Sequence, residues 1–303
     1  MQNTLKKYIQ KVLSILRVFF NEISKDKLAL VCLIIFLTTL VTVFVWASIL
    51  DDNIATTINL FNANNPPSNK HILGTDPGGR DMVQMLVLGA RNSLSIAISV
   101  TLIGGTIGIL LGVVTGYYAG HIDNIIMRIV DTVAMLPTLM IIITIISLLH
   151  NYSLFQFTLI MSMFAWINAC RTLRSRSLQI SKMQYIQASK TLGTPNFVII
   201  FKKVIPNLSS IISSQLTLSL AANIGIETGL TFLGFGLPIG TPSLGSLISI
   251  ATTPAFIQHR PWQWLPAALF VLIITLCVVF IGQALNKAAD VKLRNYNNTY
   301  TKK

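Results

Sequence analysis

Hydrophobic residues in this chain do not alternate with polar ones. They gather into long uncharged runs, separated by short stretches into which the charges crowd. Six runs are long enough to consider as helices crossing a bilayer: 28–50, 94–118, 132–149, 153–170, 208–226 and 266–286. About 20 apolar residues in a helix cover a hydrocarbon layer of ~30 Å. Outer helices of a soluble protein would each need a polar face, and these runs carry almost none. The pattern therefore predicts an all-α integral membrane protein with about six transmembrane helices.

Composition sharpens that reading. Apolar residues make up 52% of the chain and charged residues 11%, against ~25% charged in ordinary soluble domains. The orientation follows from the placement of the 23 Lys and Arg residues. Four of them, Lys70, Arg80, Arg91 and Arg260, fall in segments on one side of the spans, and the other 19 fall on the opposite side. Basic residues are retained in the cytoplasm, so both termini are expected inside. The same asymmetry accounts for the net charge of +13 without invoking nucleic acid.

The expected organisation has five parts. Residues 1–27 form a cytoplasmic N-terminal segment, 28–50 the first span, 51–93 an extracellular segment, 94–286 the membrane core and 287–303 a cytoplasmic tail. Within 5–23, apolar residues follow the spacing of one helix face, with Lys6, Lys7, Lys11 and Arg17 off it. Such a helix either lies in the membrane interface or packs against the spans. Cys32, Cys170 and Cys277 sit in or at the ends of spans and read as small apolar residues. The histidines are scattered, without metal-ligand spacing.

In the extracellular segment, Asp76-Pro77-Gly78-Gly79 is a turn signal, and the adjacent Arg80 and Asp81 read as a turn salt bridge or a helix cap. The apolar stretch 82–90 either lies in the interface or extends the second span outward. In that span Gly104, Gly108, Gly112 and Gly116 place one small residue on each turn of one face. This predicts close packing against another helix.

The largest cytoplasmic loop, 171–207, is basic but patterned. Residues 181–192 form a short helix, Gly193 stops it, Thr194 caps a second helix with Pro195 at its first position, and Pro206 interrupts at the next span. The product is a compact knob, suited to docking another protein; the plainer reading is a charged loop that only sets topology.

Two sets of residues resemble a known family. Tyr185-Ile186-Gln187-Ala188-Ser189-Lys190-Thr191-Leu192-Gly193, with Ile205-Pro206 downstream, resembles the EAA loop of bacterial ABC importer permeases; Gln187 and Ser189 replace the usual Glu and second Ala. Leu73-Gly74-Thr75-Asp76, Gly79-Arg80-Asp81, Gly89-Ala90-Arg91-Asn92-Ser93-Leu94 and the stretches 227–236 and 241–245 resemble the C-type subunit of the dipeptide/oligopeptide/nickel subfamily. The resemblance implies a type I importer permease fold in the bacterial plasma membrane. It implies a heterodimer with a second, homologous permease, two cytoplasmic ATPase subunits docked on the EAA knobs, and an extracellular substrate-binding lipoprotein. On it, Tyr185, Gln187, Ala188, Ser189, Gly193, Ile205 and Pro206 are the coupling residues. The cargo would be a peptide, nickel or a metal–chelator complex.

The chain contains no GxxxxGK[ST] phosphate loop, so no cofactor is expected on it and ATP and Mg belong to the partner ATPase. Asn223 and Glu227 either line the pathway or serve the structure, Glu227 by bonding the backbone of the Gly-rich turn after it. Trp262 and Trp264, in the external loop 237–264, fit an interfacial aromatic belt or a ligand contact. A self-sufficient secondary transporter or channel is the rival reading; it would bring ionisable relays or a repeated half.

Overall fold

The computed structural model describes residues 26–149, 151–238 and 240–300. The amphipathic stretch 5–23 and His150 lie outside the described residues. All regular structure among the described residues is helical, apart from an isolated bridge between Thr75 and Asp81. The helices used below are α1 (Lys27–Ile49), α2 (Met82–Tyr118), α3 (Gly120–Met135), α4 (Thr138–Leu148), α5 (Leu154–Ala165), α6 (Ile167–Ser181), α7 (Gln184–Thr191), α8 (Asn196–Ile199), α9 (Ile205–Phe232), α10 (Leu244–Ser249) and α11 (Pro261–Tyr300).

Four helical runs are long and apolar enough to cross a membrane: Lys27–Ile49, Met82–Tyr118, Asn196–Phe232 and Pro261–Lys287. The pair α3 and α4 supplies a fifth if counted as one span, bent by 74°. Pro137 causes the bend. Proline pushes the residue before it out of the helical region, and Leu136 is extended at ψ 141°. The run 153–170 differs from expectation in kind. It breaks at Trp166 into α5, with 12 residues, and α6, whose Arg171, Arg174 and Arg176 make it polar.

Helix α2 starts at Met82, well before 94, so the stretch 82–90 extends the span outward. Its start is fixed by Asp81, which accepts from the Val83 and Gln84 amides at 2.9 and 3.2 Å, a standard N-cap. Asp81 does not pair with Arg80. Its other oxygen meets His71 Nδ1 at 2.8 Å, while Arg80 Nε donates to Asp76 at 2.6 Å. The polar residues that hid the first turns of α2 are each occupied. Arg91 forks onto Asp52 at 2.8 and 3.0 Å, Asn92 donates to the Pro242 carbonyl, and Ser93 accepts from the Leu244 amide.

The centre of the molecule is the crossing of α2 with α6. Gly104, Gly108, Gly112 and Gly116 all face that side. A methyl group added at Gly108 would sit 2.6 Å from the Trp166 carbonyl, and one at Gly104 would sit 2.6 Å from Ala165 Cβ. With no α2 side chain at these positions the two backbones come close, the form of helix association that lipid favours. Across the same seam Ser177 donates to the Val113 carbonyl at 3.0 Å. Helix α9 packs between α2 and α11, tied by Asn223 Nδ2 to Thr101 Oγ1 at 2.9 Å and by Ser214 to the Gly282 carbonyl at 3.0 Å. Helix α1 lies outermost. It buries only Ala29, Cys32, Val43 and Ala47, and the first two join Cys277, Ile281 and Leu285 of α11 in one cluster. Large aliphatic side chains such as Val31, Ile34, Leu37, Val41 and Val45 point outward. That suits a lipid surround.

The segment between α1 and α2 is folded, not loose. Asn59 N donates to the Gly78 carbonyl, Asn64 N to Asp76 O and Thr75 N to Asn65 O, all within 2.8–3.0 Å. Gln263 at the head of α11 donates to Asn64 Oδ1 and to the Thr75 carbonyl.

Candidate functional site: a braced knob and the cavity beside it

The segment 171–207 does form a knob, with different joints from those the pattern suggested. Ser181 ends α6 instead of starting a new helix, and α7 begins at Gln184. Gly193 turns the chain at φ +74°, with open space around it. The Gly193 and Thr194 amides return to the Lys190 and Ser189 carbonyls at 3.0 and 3.1 Å, closing the helix end as a left-handed stop does. Helix α8 follows, with Pro195 rather than Thr194 at the cap position.

Pro206 does not interrupt the next span. A π turn at Ile200–Val204 precedes it, and the Ile205 amide reaches back to the Ile200 carbonyl. Proline lacks the N–H that an α-helix interior needs and crowds the carbonyl four residues back. A π turn re-registers the ladder, so the chain runs helically from Asn196 to Phe232.

The knob is braced on two sides. Inside, Ile186, Ile199, Ile200, Val204 and Leu208 form one buried cluster with Val113, Tyr117, Leu173 and Ile180 of α2 and α6. Around it run polar ties. Tyr117 OH donates to Asn196 Oδ1 at 2.7 Å, and Lys190 Nζ stands 4.4 Å over the Tyr117 ring. Gln187 Nε2 donates to the Ser181 carbonyl at 2.7 Å, Asn207 Nδ2 to Tyr185 OH at 3.1 Å, and Lys203 Nζ to Ser189 Oγ. Ile205 and Pro206 are half-buried at the joint with α9.

The outer face carries apolar groups. Ala188 is exposed, Leu192 is 83% exposed and Phe197 69%, and the Phe197 and Phe201 rings meet at a tilt of 43° with centroids 4.4 Å apart. Sequence reasoning missed this aromatic pair and the Tyr117 brace. The signal available was two Phe residues four apart in an otherwise basic loop, a spacing that puts them on one helix face.

Ion pairs join α6 to α3 just above the knob. Arg174 grips Asp123 with Nε and Nη2 at 2.7 and 2.5 Å, and Asp123 is buried. Arg171 Nη2 meets Asp131 Oδ1 at 2.6 Å with both side chains about half exposed.

Beside these pairs lies a cavity of about 320 Å³. Asn223 and Ser219 of α9 and Asn168 and Arg171 of α6 face it, against walls that include Ile142 and Met161. Glu227, one turn beyond Asn223, is not among its lining residues. It is 0% exposed and accepts from the Thr231 and Thr228 hydroxyls at 3.1 and 3.4 Å, where the sequence had suggested the following turn's backbone. Trp262 and Trp264 bury their indole N–H groups unpaired at the head of α11. Among the described residues no cluster of His, Cys, Asp or Glu could hold a metal ion.

A family model described as "binding-protein-dependent transport system inner membrane component" matches residues 108–294. The oligopeptide transport system permease protein OppC of Lactococcus lactis subsp. lactis is 42% identical over 279 residues, covering 92% of this chain and 95% of its own length. OppC of Bacillus subtilis is 32% identical over 95% of this chain and 93% of its own. The dipeptide transport system permease protein DppC of B. subtilis is 33% identical over 91% and 85%.

Proposed function

This chain belongs to the family of binding-protein-dependent transport system inner membrane components, and from that premise we propose that it is the C-type permease subunit of an ATP-driven peptide importer. It is a multi-pass protein of the plasma membrane. Its relatives are peptide permeases by name, which favours a peptide over nickel or a metal–chelator complex as cargo. They leave the channel or secondary-transporter reading unfavoured.

The work divides among subunits. This permease and a homologous second one enclose the pathway, a binding lipoprotein delivers cargo outside, and two ATPase subunits with their ATP and Mg act from the cytoplasm. Tyr185, Gln187, Ala188, Ser189, Gly193, Ile205 and Pro206 shape the coupling knob. Asn223 faces the pathway cavity, and Glu227 holds the helix beside it.

The observation that carries this reading is the knob's combination of a rigid base and an apolar outer face. Leu192, Phe197 and Phe201 are large apolar groups turned away from both the spans and their own core. Exposed apolar groups clustered on a braced element mark a protein docking site. The test is affinity purification of the tagged chain from its native membranes in mild detergent. A second permease and an ATPase should co-purify, and Leu192→Asp with Phe197→Asp should lose the ATPase while keeping the permease partner. Recovery of the chain alone, where a control transporter stays whole, would refute the reading.

A further inference from the structure

The two ion pairs between α6 and α3 are built differently. Arg174 and Asp123 form a two-pronged pair with the carboxylate buried, which is the geometry of a strut. Arg171 and Asp131 touch through one nitrogen and one oxygen, with side-chain exposures of 43% and 48%. Arg171 alone of these four residues borders the cavity.

Its position in the cavity is directional. Helix α9 leaves the knob at Ile205, so Ser219 and then Asn223 lie progressively farther from it. Helix α6 approaches the knob, so Asn168 precedes Arg171. The polar groups that α6 and α9 supply therefore rank from Asn223, far from the knob, to Arg171, near it. The first three are neutral amides and a hydroxyl, able to exchange hydrogen bonds with peptide groups of any sequence. The last is a guanidinium, whose planar fork matches a carboxylate in two-pronged fashion.

We propose that Arg171 is a carboxylate-receiving subsite at the knob end of the cavity, with Asp131 as its resting partner and the terminal carboxylate of a peptide as its partner in transit. This deepens the peptide-permease reading and rests on it. Asp131 keeps the guanidinium aligned between cargoes. A one-point, half-exposed pair is weakly held, so an arriving carboxylate can displace it and a departing one returns Arg171 to Asp131. Every charge change at the site is an exchange of partners, and no bare cation is left beside the apolar walls.

The test separates this role from a structural one because removing either member breaks the same ion pair. The whole transporter, with its partner permease, ATPases and binding protein, is reconstituted in vesicles, and uptake of labelled tetraalanine is followed. Arg171→Gln should lower uptake about tenfold, in line with loss of a charge-assisted hydrogen bond, while Asp131→Asn, which removes the resting partner but keeps the receiving guanidinium, should lose only about threefold. Should Arg171→Gln fail to assemble, Arg171→Lys keeps the charge without the fork and should lose uptake about tenfold, again clearly more than Asp131→Asn. Equal losses at 171 and 131 would make the pair a strut and overturn the proposal. So would unchanged uptake in the Arg171 variant. A parent complex that assembles and hydrolyses ATP yet takes up no tetraalanine would instead refute the peptide cargo.

Discussion

A methyl group placed on Gly112 would lie 2.5 Å from the Cys170 carbonyl oxygen and 3.0 Å from Leu173 Cβ. Neither neighbour can yield, since one is backbone and the other a fully buried side chain. Gly112→Ala should therefore destabilise the chain by about 1–3 kcal/mol through overpacking, read as a lower melting temperature in detergent. Gly225→Ala is the control. Its site is exposed with nothing within 4 Å, so its melting temperature should hold or rise, because alanine is the better helix former. The Asp123–Arg174 pair invites a second test. Asp123→Asn leaves the partly exposed guanidinium facing a neutral amide, and a loss of about 1–2 kcal/mol is expected, measured by the same melt. Serial glycines made the first contact legible in the sequence as a packing face. The second was invisible there, because Asp123 and Arg174 are 51 positions apart and nothing local marks them as partners.

Among elements, the knob is the most exposed to test. Gly193 stands at φ +74° with no neighbour, so a side chain there meets no clash and only the backbone suffers. Gly193→Val should cost about 1–2 kcal/mol locally and shift the turn between α7 and α8. The expected result is normal permease level in membranes with weakened ATPase recovery and uptake; full ATPase recovery would show the turn to be unimportant. The turn could be read from the sequence because Gly193 carries its own conformational signature. The π turn before Pro206 could not. Proline announces a disturbance without saying whether the chain will break or re-register, and packing of Ile200 and Val204 into the core decides it. The same limit explains the run 153–170. Apolar composition continues across Trp166, and no local residue signal marks the break there, where the α2 backbone abuts the Trp166 carbonyl at Gly108.

For the whole molecule, orientation is the first quantity to measure. Phe61 is 99% exposed in the segment between α1 and α2, and Leu192 is 83% exposed on the knob. The three native cysteines are buried, so a single engineered thiol reports alone. Phe61→Cys should react with a membrane-impermeant maleimide in intact cells, and Leu192→Cys only after the membrane is opened. The opposite pattern would invert the topology that the Lys and Arg distribution predicts. Four of the six apolar runs were readable at this scale as single spans, because lipid imposes length and apolarity on each of them; the runs 132–149 and 153–170 are broken at Pro137 and at Trp166. The outward extension of α2 was hidden, since Arg91 and Asn92 look like loop until their distant partners, Asp52 and the Pro242 carbonyl, are known.

The glycine seam also has a mechanical consequence. Where α2 contributes only glycine, small α6 groups such as Ala169 Cβ and Ser177 Cβ pack directly on its backbone, which leaves little to compress or rotate, so α2 and α6 turn together as a single lever. Helix α2 has 37 residues, a length of about 55 Å at 1.5 Å per residue. Tyr117 fastens one end to the knob, and Asp81 fastens the other to the folded segment that precedes it. With the pivot at one end, a tilt of about 10° swings the other through roughly 10 Å over that length. A small rotation at the knob is thus delivered to the far end of the helix as a larger displacement, with proportionately less force.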